Sequence, residues 1–294
     1  MSVDAIRTPD DLLEGLPDFP FQARYREVDG LRLAHIDEGD GPPVVMWHGE
    51  PTWSFLWRKV LPAVRDAGFR VICPDLAGFG RSDKPVDPDW YSYDRHVEVA
   101  ATLLEDLDLR GATFVVHDWG GPIGLRLAVE HAERVDRLVM MDTGLFNGRQ
   151  QMGEAWHTFR RFAERTEDLP TGFLVARGVV DELPEQVVAA YDAPFPNPAS
   201  KAGARVFPSL IPLTPDAEGA AAGDRTIAAL REDGRPKLTL WGAEDPVLPL
   251  DRGEAFAAAI GACPVHPIAG AGHYLQEDRG EEIGARIAEW LTSV

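Results

Sequence analysis

The sequence predicts an α/β fold in which helices flank a mostly parallel central sheet, with a helical cap inserted into the chain. Two observations carry this prediction. Short apolar runs alternate with amphipathic stretches, such as residues 96–106 and 122–132, and this alternation is interrupted once, after Asp142. Alternating strands and helices imply a parallel sheet covered by helices. The composition agrees, since 45% hydrophobic and 26% charged residues are typical of a folded globular protein.

The predicted parallel strands are short runs of apolar, often β-branched residues, the pattern of strands buried on both faces. They cover residues 44–47, 71–73, 112–116, 138–141 and 237–241. Two earlier strands, residues 24–28 and 31–37, flank Asp29-Gly30, a dipeptide typical of tight hairpin turns. The sheet should therefore be mixed and begin with an antiparallel hairpin.

The predicted insertion covers residues 148–219, where no strand pattern is found. Helical patterns occupy residues 154–166 and 185–191, and a proline-rich loop follows at residues 193–198. Insertions on such sheets commonly shape a binding site. We therefore assign residues 1–147 and 220–294 to an α/β core and residues 148–219 to a helical cap.

Charge and cysteine content narrow the possible partners and location. With 29 basic against 48 acidic side chains, the net charge of −19 argues against binding nucleic acid or anionic membranes. No run approaches the ~20 apolar residues of a membrane span, and residues 1–21 lack the apolar core of a signal peptide. Cys73 and Cys263 lie far apart in apolar stretches, which favours buried thiols in a reducing compartment. We expect a cytoplasmic monomer.

The most informative stretch is residues 115–122, where a buried strand leads through Asp118 and two glycines into a helix. This strand–turn–helix context exposes a nucleophile at the carboxyl edge of a sheet. Gly120 would let the neighbouring backbone pack closely. A carboxylate there suits displacement at an sp³ carbon, which forms an ester that water then hydrolyses. The alternative role for Asp118 is to cap the following helix.

Five further residues are candidates for the rest of this chemistry. His273 lies in a glycine-rich loop before the last predicted helix, and the order nucleophile, acid, histidine is that of α/β-hydrolases. A histidine can take a proton from water. Asp245, after strand 237–241, is the first choice for orienting the imidazole, and Asp142, after strand 138–141, is the alternative. Backbone N–H groups of Glu50 and Trp119 are predicted to form an oxyanion hole, and Glu50-Pro51 is a candidate cis peptide.

Four motifs together resemble the haloalkane dehalogenases, a family of the α/β-hydrolase superfamily. They are HGEPTWSFLWR at 48–58, DLAGFGRSDKP at 75–85, HDWGG at 117–121 and GHYLQED at 272–278. Residues 7–10, 16–20 and 191–196 extend the likeness, so nearly the whole chain takes part. The chain looks most like the subfamily whose catalytic acid follows the later strand, at the position of Asp245.

The resemblance implies that Asp118 displaces halide from a halogenated alkane, and that His273, held by Asp245, activates water to hydrolyse the alkyl ester. The products would be an alcohol, halide and a proton. Trp119 would bind the halide, because an indole N–H is a donor mounted on an apolar ring. No metal or cofactor is expected, since no metal-ligand cluster, dinucleotide fingerprint or phosphate loop is found.

The sequence departs from the family pattern at two places. The family usually supplies a second halide-binding Trp from the start of the cap, with a Phe one turn earlier; here Trp156 and Phe159 stand in exchanged positions. Trp156 either reaches the halide or only lines the site, and Phe159 offers no N–H. The position of Asp142 usually carries an uncharged amide, so this extra carboxylate could share the orienting role or raise the pKa of His273.

Two alternatives remain open on the sequence. An epoxide hydrolase of the same superfamily uses the same three residues but needs phenol donors, usually two tyrosines, and the cap offers only Tyr191. Glu50 also replaces the aromatic residue usual after His-Gly in those enzymes. The second alternative is a binding protein that keeps the fold without catalysis, since fold does not fix function.

Overall fold

The structure, a computed structural model, describes residues 3–261 and 264–294, and in them ten strands form one large and one small sheet. The strands are β1 (Ala5–Ile6), β2 (Arg24–Val28), β3 (Leu31–Glu38), β4 (Pro43–Trp47), β5 (Arg70–Pro74), β6 (Lys84–Pro85), β7 (Ala112–His117), β8 (Val135–Met141), β9 (Lys237–Gly242) and β10 (Val265–Ile268). β1 pairs with β6, and the large sheet has the order β10-β9-β8-β7-β4-β5-β3-β2. Every strand predicted from the sequence is present.

The large sheet is mixed, as predicted. Its strands from β10 to β5 are parallel, and β3 and β2 are antiparallel. β2 and β3 are joined by Asp29 and Gly30, which have φ values of 50° and 82°. Positive φ at both central residues is what a type I′ hairpin turn requires. The predicted opening hairpin is therefore confirmed.

Ten α-helices form in the described part of the chain. They are α1 (Leu61–Asp66), α2 (Tyr93–Asp106), α3 (Gly120–Glu130), α4 (Glu154–Arg165), α5 (Thr171–Arg177), α6 (Glu185–Asp192), α7 (Ala202–Val206), α8 (Ala220–Glu232), α9 (Leu250–Ala259) and α10 (Leu275–Ser293). Short 3₁₀ segments cover Asp10–Leu13, Ser54–Lys59, Pro88–Trp90, Ala132–Arg134, Pro198–Lys201 and Phe207–Leu210. α3 begins two residues before its predicted start, because the helix follows directly after Trp119.

The sheet has a hydrophobic core on each face, because successive residues of a strand point to opposite sides. Phe114 and Val116 of β7 belong to a core with residues of α2, α3 and α8. Val115 belongs to the other core, with residues of α1 and α10. Burial on both faces explains why the central strands read as continuous apolar runs.

Between β8 and α8 the described elements are all helical: α4 to α7 and two 3₁₀ segments. α5 and α7 were not predicted, because seven and five residues are too short for a clear helical period. The strands β1 and β6 were not predicted either, because two residues are too few for a clear strand pattern. The division into a core and a cap stays a prediction.

Cys73 lies buried in β5 without a disulfide partner, as expected of a small apolar side chain. Cys263 lies outside the described residues. Among the described helices, none is long and apolar enough to cross a membrane.

Candidate active site

The candidate catalytic residues follow the carboxyl ends of neighbouring parallel strands. Asp118 comes directly after β7 and Asp142 directly after β8. Asp245 follows β9, and His273 follows β10. Because parallel strands end at the same edge of a sheet, their loops converge there, the usual place for a site in such folds.

Asp118 occupies a tight turn between β7 and α3. Its φ of 47° lies in the left-handed region, which is uncommon for a residue with a Cβ. The turn is held by Asp118 N–H donating to the Asp142 carbonyl (3.1 Å) and by Thr143 Oγ1 donating to the Asp118 carbonyl (2.6 Å). A Cβ on Gly120 would lie 2.2 Å from the Trp47 carbonyl oxygen, so glycine is required here. The N-cap of α3 is Trp119, so Asp118 is not its cap.

Two backbone N–H groups face the Asp118 carboxylate. Glu50 N–H donates to Oδ1 at 2.7 Å, and Trp119 N–H also bonds the carboxylate. A Cβ on Gly49 would lie 2.1 Å from Oδ1, so this close approach again requires glycine. The Glu50–Pro51 peptide is cis, as predicted. The structure thus brings the two predicted oxyanion donors to the predicted nucleophile.

His273 lies between two carboxylates. Its Nε2 is 3.6 Å from Asp118 Oδ2, and its Nδ1 is 2.9 Å from Asp245 Oδ2. Asp245 Oδ1 accepts the N–H groups of Val247 and Leu248 at 2.6 and 2.9 Å. The side chains of His273 and Asp245 are 3% and 0% exposed, against 20% for Asp118. Of the three groups, only Asp118 is open to an incoming molecule.

Charge pairing outweighs burial at all three groups. Burial lowers the pKa of His273, but Asp245 and Asp118 together raise it well above its usual range. Burial raises the pKa of Asp118, and the contact with His273 more than offsets this, so the net shift is downward. The pKa of Asp245 is lowered in the same way. Both carboxylates therefore favour the protonated form of the His273 ring.

Asp142 lies beside this triad but does not directly orient the imidazole. Its fully buried carboxyl is hydrogen-bonded to that of Asp245, and Gly242 N–H donates to both its oxygens at 3.1 Å. Burial and the neighbouring Asp245 raise the pKa of Asp142 well above its usual range. Of the two acids considered from the sequence, the structure places Asp245 against His273 Nδ1.

Asp142, Asp245 and His273 also have ligand atoms within 4.8 Å of one another. Such a cluster has the chemistry of a metal site in principle. Here hydrogen bonds join Asp142 to Asp245 and Asp245 to His273, and these contacts account for the clustering.

Two groups near the triad were missed at the sequence level. His117 Nε2 donates to the His273 carbonyl at 2.8 Å, and the two rings lie 5.1 Å apart. Burial lowers the pKa of His117 to about 4, so it supports His273 without adding charge. The Glu50 side chain is buried with Oε1 unpartnered, and burial and Asp118 raise its pKa well above the usual range. The positions of both in the HGE and HDWGG motifs were the available signals.

Trp119 carries an unpaired donor beside an apolar cavity. The indole N–H groups of Trp53 and Trp241 donate to carbonyl oxygens, whereas that of Trp119 has no acceptor among the described residues. The ring of Phe207 packs against Trp119 at 5.1 Å. The cavity is lined by Tyr93, Trp119, Pro122, Phe146, Leu210 and Pro212. An apolar wall with one free N–H is suited to a halogenated hydrocarbon.

Trp156 and Phe159 are half-buried on α4. The Trp156 ring contacts the His157 ring at 5.0 Å and the Arg160 guanidinium at 5.7 Å. Among the described residues, the rings paired with that of Trp119 are those of Tyr93, Phe146 and Phe207. Trp156 packs against the core cluster to which Trp119 belongs. Their place in a halide site stays a prediction.

The nucleophile elbow, the histidine–acid pair and the oxyanion donors, all at one edge of a mixed sheet, define an α/β-hydrolase. A family model described as alpha/beta hydrolase fold matches residues 42–280. The chain is 43% identical to a haloalkane dehalogenase of Mycobacterium marinum, over 98% of this chain and 100% of that protein. It is 38% identical to one of Psychrobacter cryohalolentis, over 97% of each chain.

Solved structures give the same result. The tetrameric haloalkane dehalogenase DpaA from Paraglaciecola agarilytica NO2 matches with a TM-score of 0.91 and 36% identity over 99% of both chains. DbeA from Bradyrhizobium elkani USDA94 matches with a TM-score of 0.83 and 29% identity, over 93% of this chain and 98% of that one. The chain belongs to the haloalkane dehalogenase family and is a hydrolase acting on carbon–halogen bonds. The epoxide hydrolase alternative gains no support.

Proposed function

We propose that the chain hydrolyses haloalkanes through an alkyl ester on Asp118. Asp118 Oδ2 attacks the halogen-bearing carbon, and the carbon–halogen bond breaks with its electron pair leaving on halide. The observation that carries this proposal is that the two oxygens of the Asp118 carboxylate have different surroundings. Oδ1 is held by Glu50 N–H at 2.7 Å, while Oδ2 faces His273 and the open side of the site.

In the second step, His273 Nε2 takes a proton from water, whose oxygen attacks the ester carbonyl carbon of Asp118. The 3.6 Å between Nε2 and Oδ2 leaves the imidazole close enough to act on that water. Negative charge then builds on Oδ1, which already accepts the Glu50 N–H, and the Trp119 N–H bonds the same carboxylate. The ester bond breaks, the alcohol leaves with one of the two water protons, and the other stays on His273, which restores the Asp118 carboxylate and the starting charge of the site.

Esterification itself prepares His273 for this step. In the free enzyme Asp118 and Asp245 both raise the pKa of His273, so the ring is protonated and cannot act as a base. The ester is uncharged, so alkylation removes one of these two anions and lowers the pKa of the ring. The proton lost then leaves a neutral imidazole, still oriented by Asp245.

Halide stabilisation is assigned to indole donors on the apolar side of the site. Trp119 is the first donor, since its N–H is free of protein acceptors among the described residues and its side chain belongs to a residue that lines the apolar cavity. Trp156 is the second, supplied by α4 of the cap (residues 148–219), with Phe159 as a neighbouring apolar wall. A donor in a dry pocket favours charge that develops as the bond breaks.

We assign the protein to the cytoplasm, with halogenated alkane and water as its only reactants. The balance of 48 acidic to 29 basic side chains speaks against nucleic acid and anionic lipid as partners. We expect a monomer; the tetramer of DpaA makes light scattering at several protein concentrations the appropriate check. A mass four times that of the chain would replace the monomer assignment.

The experiment that tests the proposal is halide release from 1-bromobutane and 1,2-dibromoethane by purified protein, with Asp118→Ala as control. We expect release by the native protein and none above background by the variant. Release that survives Asp118→Ala would overturn the covalent route. Opening of styrene oxide without halide release would instead favour the epoxide hydrolase. If the protein converts neither the bromoalkanes nor styrene oxide, a binding protein would be favoured.

A further inference from the structure

Two carboxyl groups, those of Asp142 and Asp245, lie close to the His273 ring. Asp142 follows β8 and Asp245 follows the adjacent strand β9, so both project from one edge of the sheet. Both are buried, their carboxyls are hydrogen-bonded to each other, and each offers an oxygen within 4.8 Å of a His273 ring nitrogen. The mechanism above uses only Asp245. A hydrolysis site with one orienting acid leaves Asp142 unexplained.

We propose that Asp142 and Asp245 are a proton-sharing pair in which Asp142 is a positioning residue. Its neutral carboxyl donates a hydrogen bond to Asp245, and on loss of Asp245 its carboxylate takes over as the anionic partner of His273. This inference rests on the proposed function, because it assigns Asp142 a part in hydrolysis of the alkyl ester.

Local hydrogen bonding decides which carboxyl holds the proton. Two carboxylates in one buried space do not both ionise readily. Asp245 accepts three donors, from Val247 N–H, Leu248 N–H and His273 Nδ1. Asp142 accepts one backbone N–H, shared between its two oxygens. The better-satisfied Asp245 therefore carries the charge, and Asp142 keeps the proton.

The groups facing Asp142 explain why it can exchange roles. Asp245 faces it from the loop after β9, and His273 faces it from the loop after β10. Asp118 faces the far nitrogen of the same imidazole. Burial is the largest cause of the raised pKa of Asp142, and the neighbouring Asp245 is the second. Replacing Asp245 by Asn removes this second cause, while His273 continues to lower the pKa, so the balance shifts toward the Asp142 carboxylate. The remaining carboxylate has an oxygen within 4.8 Å of a His273 ring nitrogen.

The effect falls on one chemical step. Displacement of halide needs the Asp118 carboxylate and no base, whereas hydrolysis needs His273 to accept a proton from water. An anion behind the imidazole stabilises the imidazolium that forms there. Loss of both acids should therefore leave halide release in the first turnover intact and stop hydrolysis of the ester.

The test is a double-mutant cycle with Asp142→Asn, Asp245→Asn and the double variant, all nearly isosteric with the native chain. Steady-state turnover of 1-bromobutane is measured alongside the halide burst and the mass of the alkyl-enzyme. We expect losses of about 3-fold, about 30-fold and about 10⁴-fold, so the double variant falls about 100-fold below the product of the single effects. The alkyl-enzyme should accumulate in the double variant, and the burst should stay within about 3-fold of native.

A matched control is Asp245→Asn combined with Asp83→Asn, which removes a buried carboxylate that bonds Arg7 rather than the triad. This combination should turn over like Asp245→Asn alone. Additive losses in the cycle, or equal alkyl-enzyme build-up in Asp245→Asn and the double variant, would overturn the inference. Absence of a halide burst from the native protein would instead overturn the proposed function. A burst that is lost only in the double variant would indicate a folding defect, and Asp142 would then have only a structural role.

Discussion

The two sides of the candidate site are built in different ways. On the sheet side, Asp118, Asp245 and His273 sit in loops after parallel strands and are fixed by hydrogen bonds, including 2.9 Å from His273 to Asp245. On the helical side, the ring of Phe207 packs against Trp119 at 5.1 Å without any hydrogen bond between them. Groups that must meet within tenths of an ångström lie on the rigid side. We expect the helical side to shape the space that a substrate enters.

One buried network joins the two sides. Arg58 donates to both oxygens of Glu277, at 2.5 and 2.8 Å, and Tyr191 of α6 donates to Glu277 Oε1 at 2.5 Å. Glu277 belongs to α10, four residues after His273 in the chain. Through Glu277, this buried ion pair and the Tyr191 hydrogen bond therefore connect α6 to α10 and to the segment that carries Arg58.

The largest expected effect lies on the sheet side. His273→Phe should lower steady-state turnover by at least about 10³-fold, because the ester forms but water is not activated. Mass spectrometry after incubation with 1-bromobutane should show one alkyl group bound per chain. Asp118→Ala, treated identically, should show none. An unmodified His273→Phe protein would remove the base from its assigned role.

The second prediction concerns the buried network of Arg58, Glu277 and Tyr191 that joins the two sides. Glu277→Gln leaves the buried Arg58 charge without an anionic partner, so unfolding free energy should fall by about 3–5 kcal/mol. Urea unfolding followed by tryptophan fluorescence measures this. Glu282→Gln on the same helix breaks only a half-exposed pair with Arg286 and should change stability by less than about 0.5 kcal/mol. Equal effects of the two variants would show that the buried network is not what joins the two sides.

The contrast also explains what could be read from the sequence. The strands, the hairpin at Asp29 and the elbow at Asp118 were predictable because each depends on local pattern: apolar runs, turn dipeptides and glycines. Asp245 was the first choice as the orienting acid, but the local pattern left Asp142 open, since the answer depends on which of two adjacent strand ends faces His273 Nδ1. His117 was missed because its contact with the His273 carbonyl joins residues far apart in the chain. Ring directions on α4 depend on packing between helices, which no local pattern determines.

The third prediction concerns the charges around His273. Asp118→Asn imitates the neutral ester, so the pKa of His273 should fall by about one unit or more from its raised value. A raised folded-state pKa stabilises the fold fully below the pKa of an unfolded histidine, and this stability is lost as pH rises through the folded value. The variant should therefore lose stability relative to native protein on the acidic side of that window.

Histidine-selective ¹⁵N NMR across a pH series measures this pKa directly. His35 on β3 is the internal control, because burial lowers its pKa to about 4 and the substitution removes no partner of its ring. An unchanged His273 titration in Asp118→Asn would show that esterification does not prepare the base, and would separate the two carboxylates that the proposed mechanism couples.

The smallest expected effect lies on the helical side. It shows which aromatic residue of α4 donates a hydrogen bond to the leaving halide. If Trp156 donates to the leaving halide, Trp156→Phe should lower kcat/KM for 1-bromobutane about 10-fold, less than the about 100-fold expected for Trp119→Phe beside the nucleophile. Adding Phe159→Trp to Trp156→Phe restores the residue order usual in the family. Recovery of activity in this double variant would show that α4 can present a donor from either turn. If Phe159→Trp alone raises kcat/KM and Trp156→Phe leaves it unchanged, residue 159 would instead be the donor position. Trp156 would then only line the site.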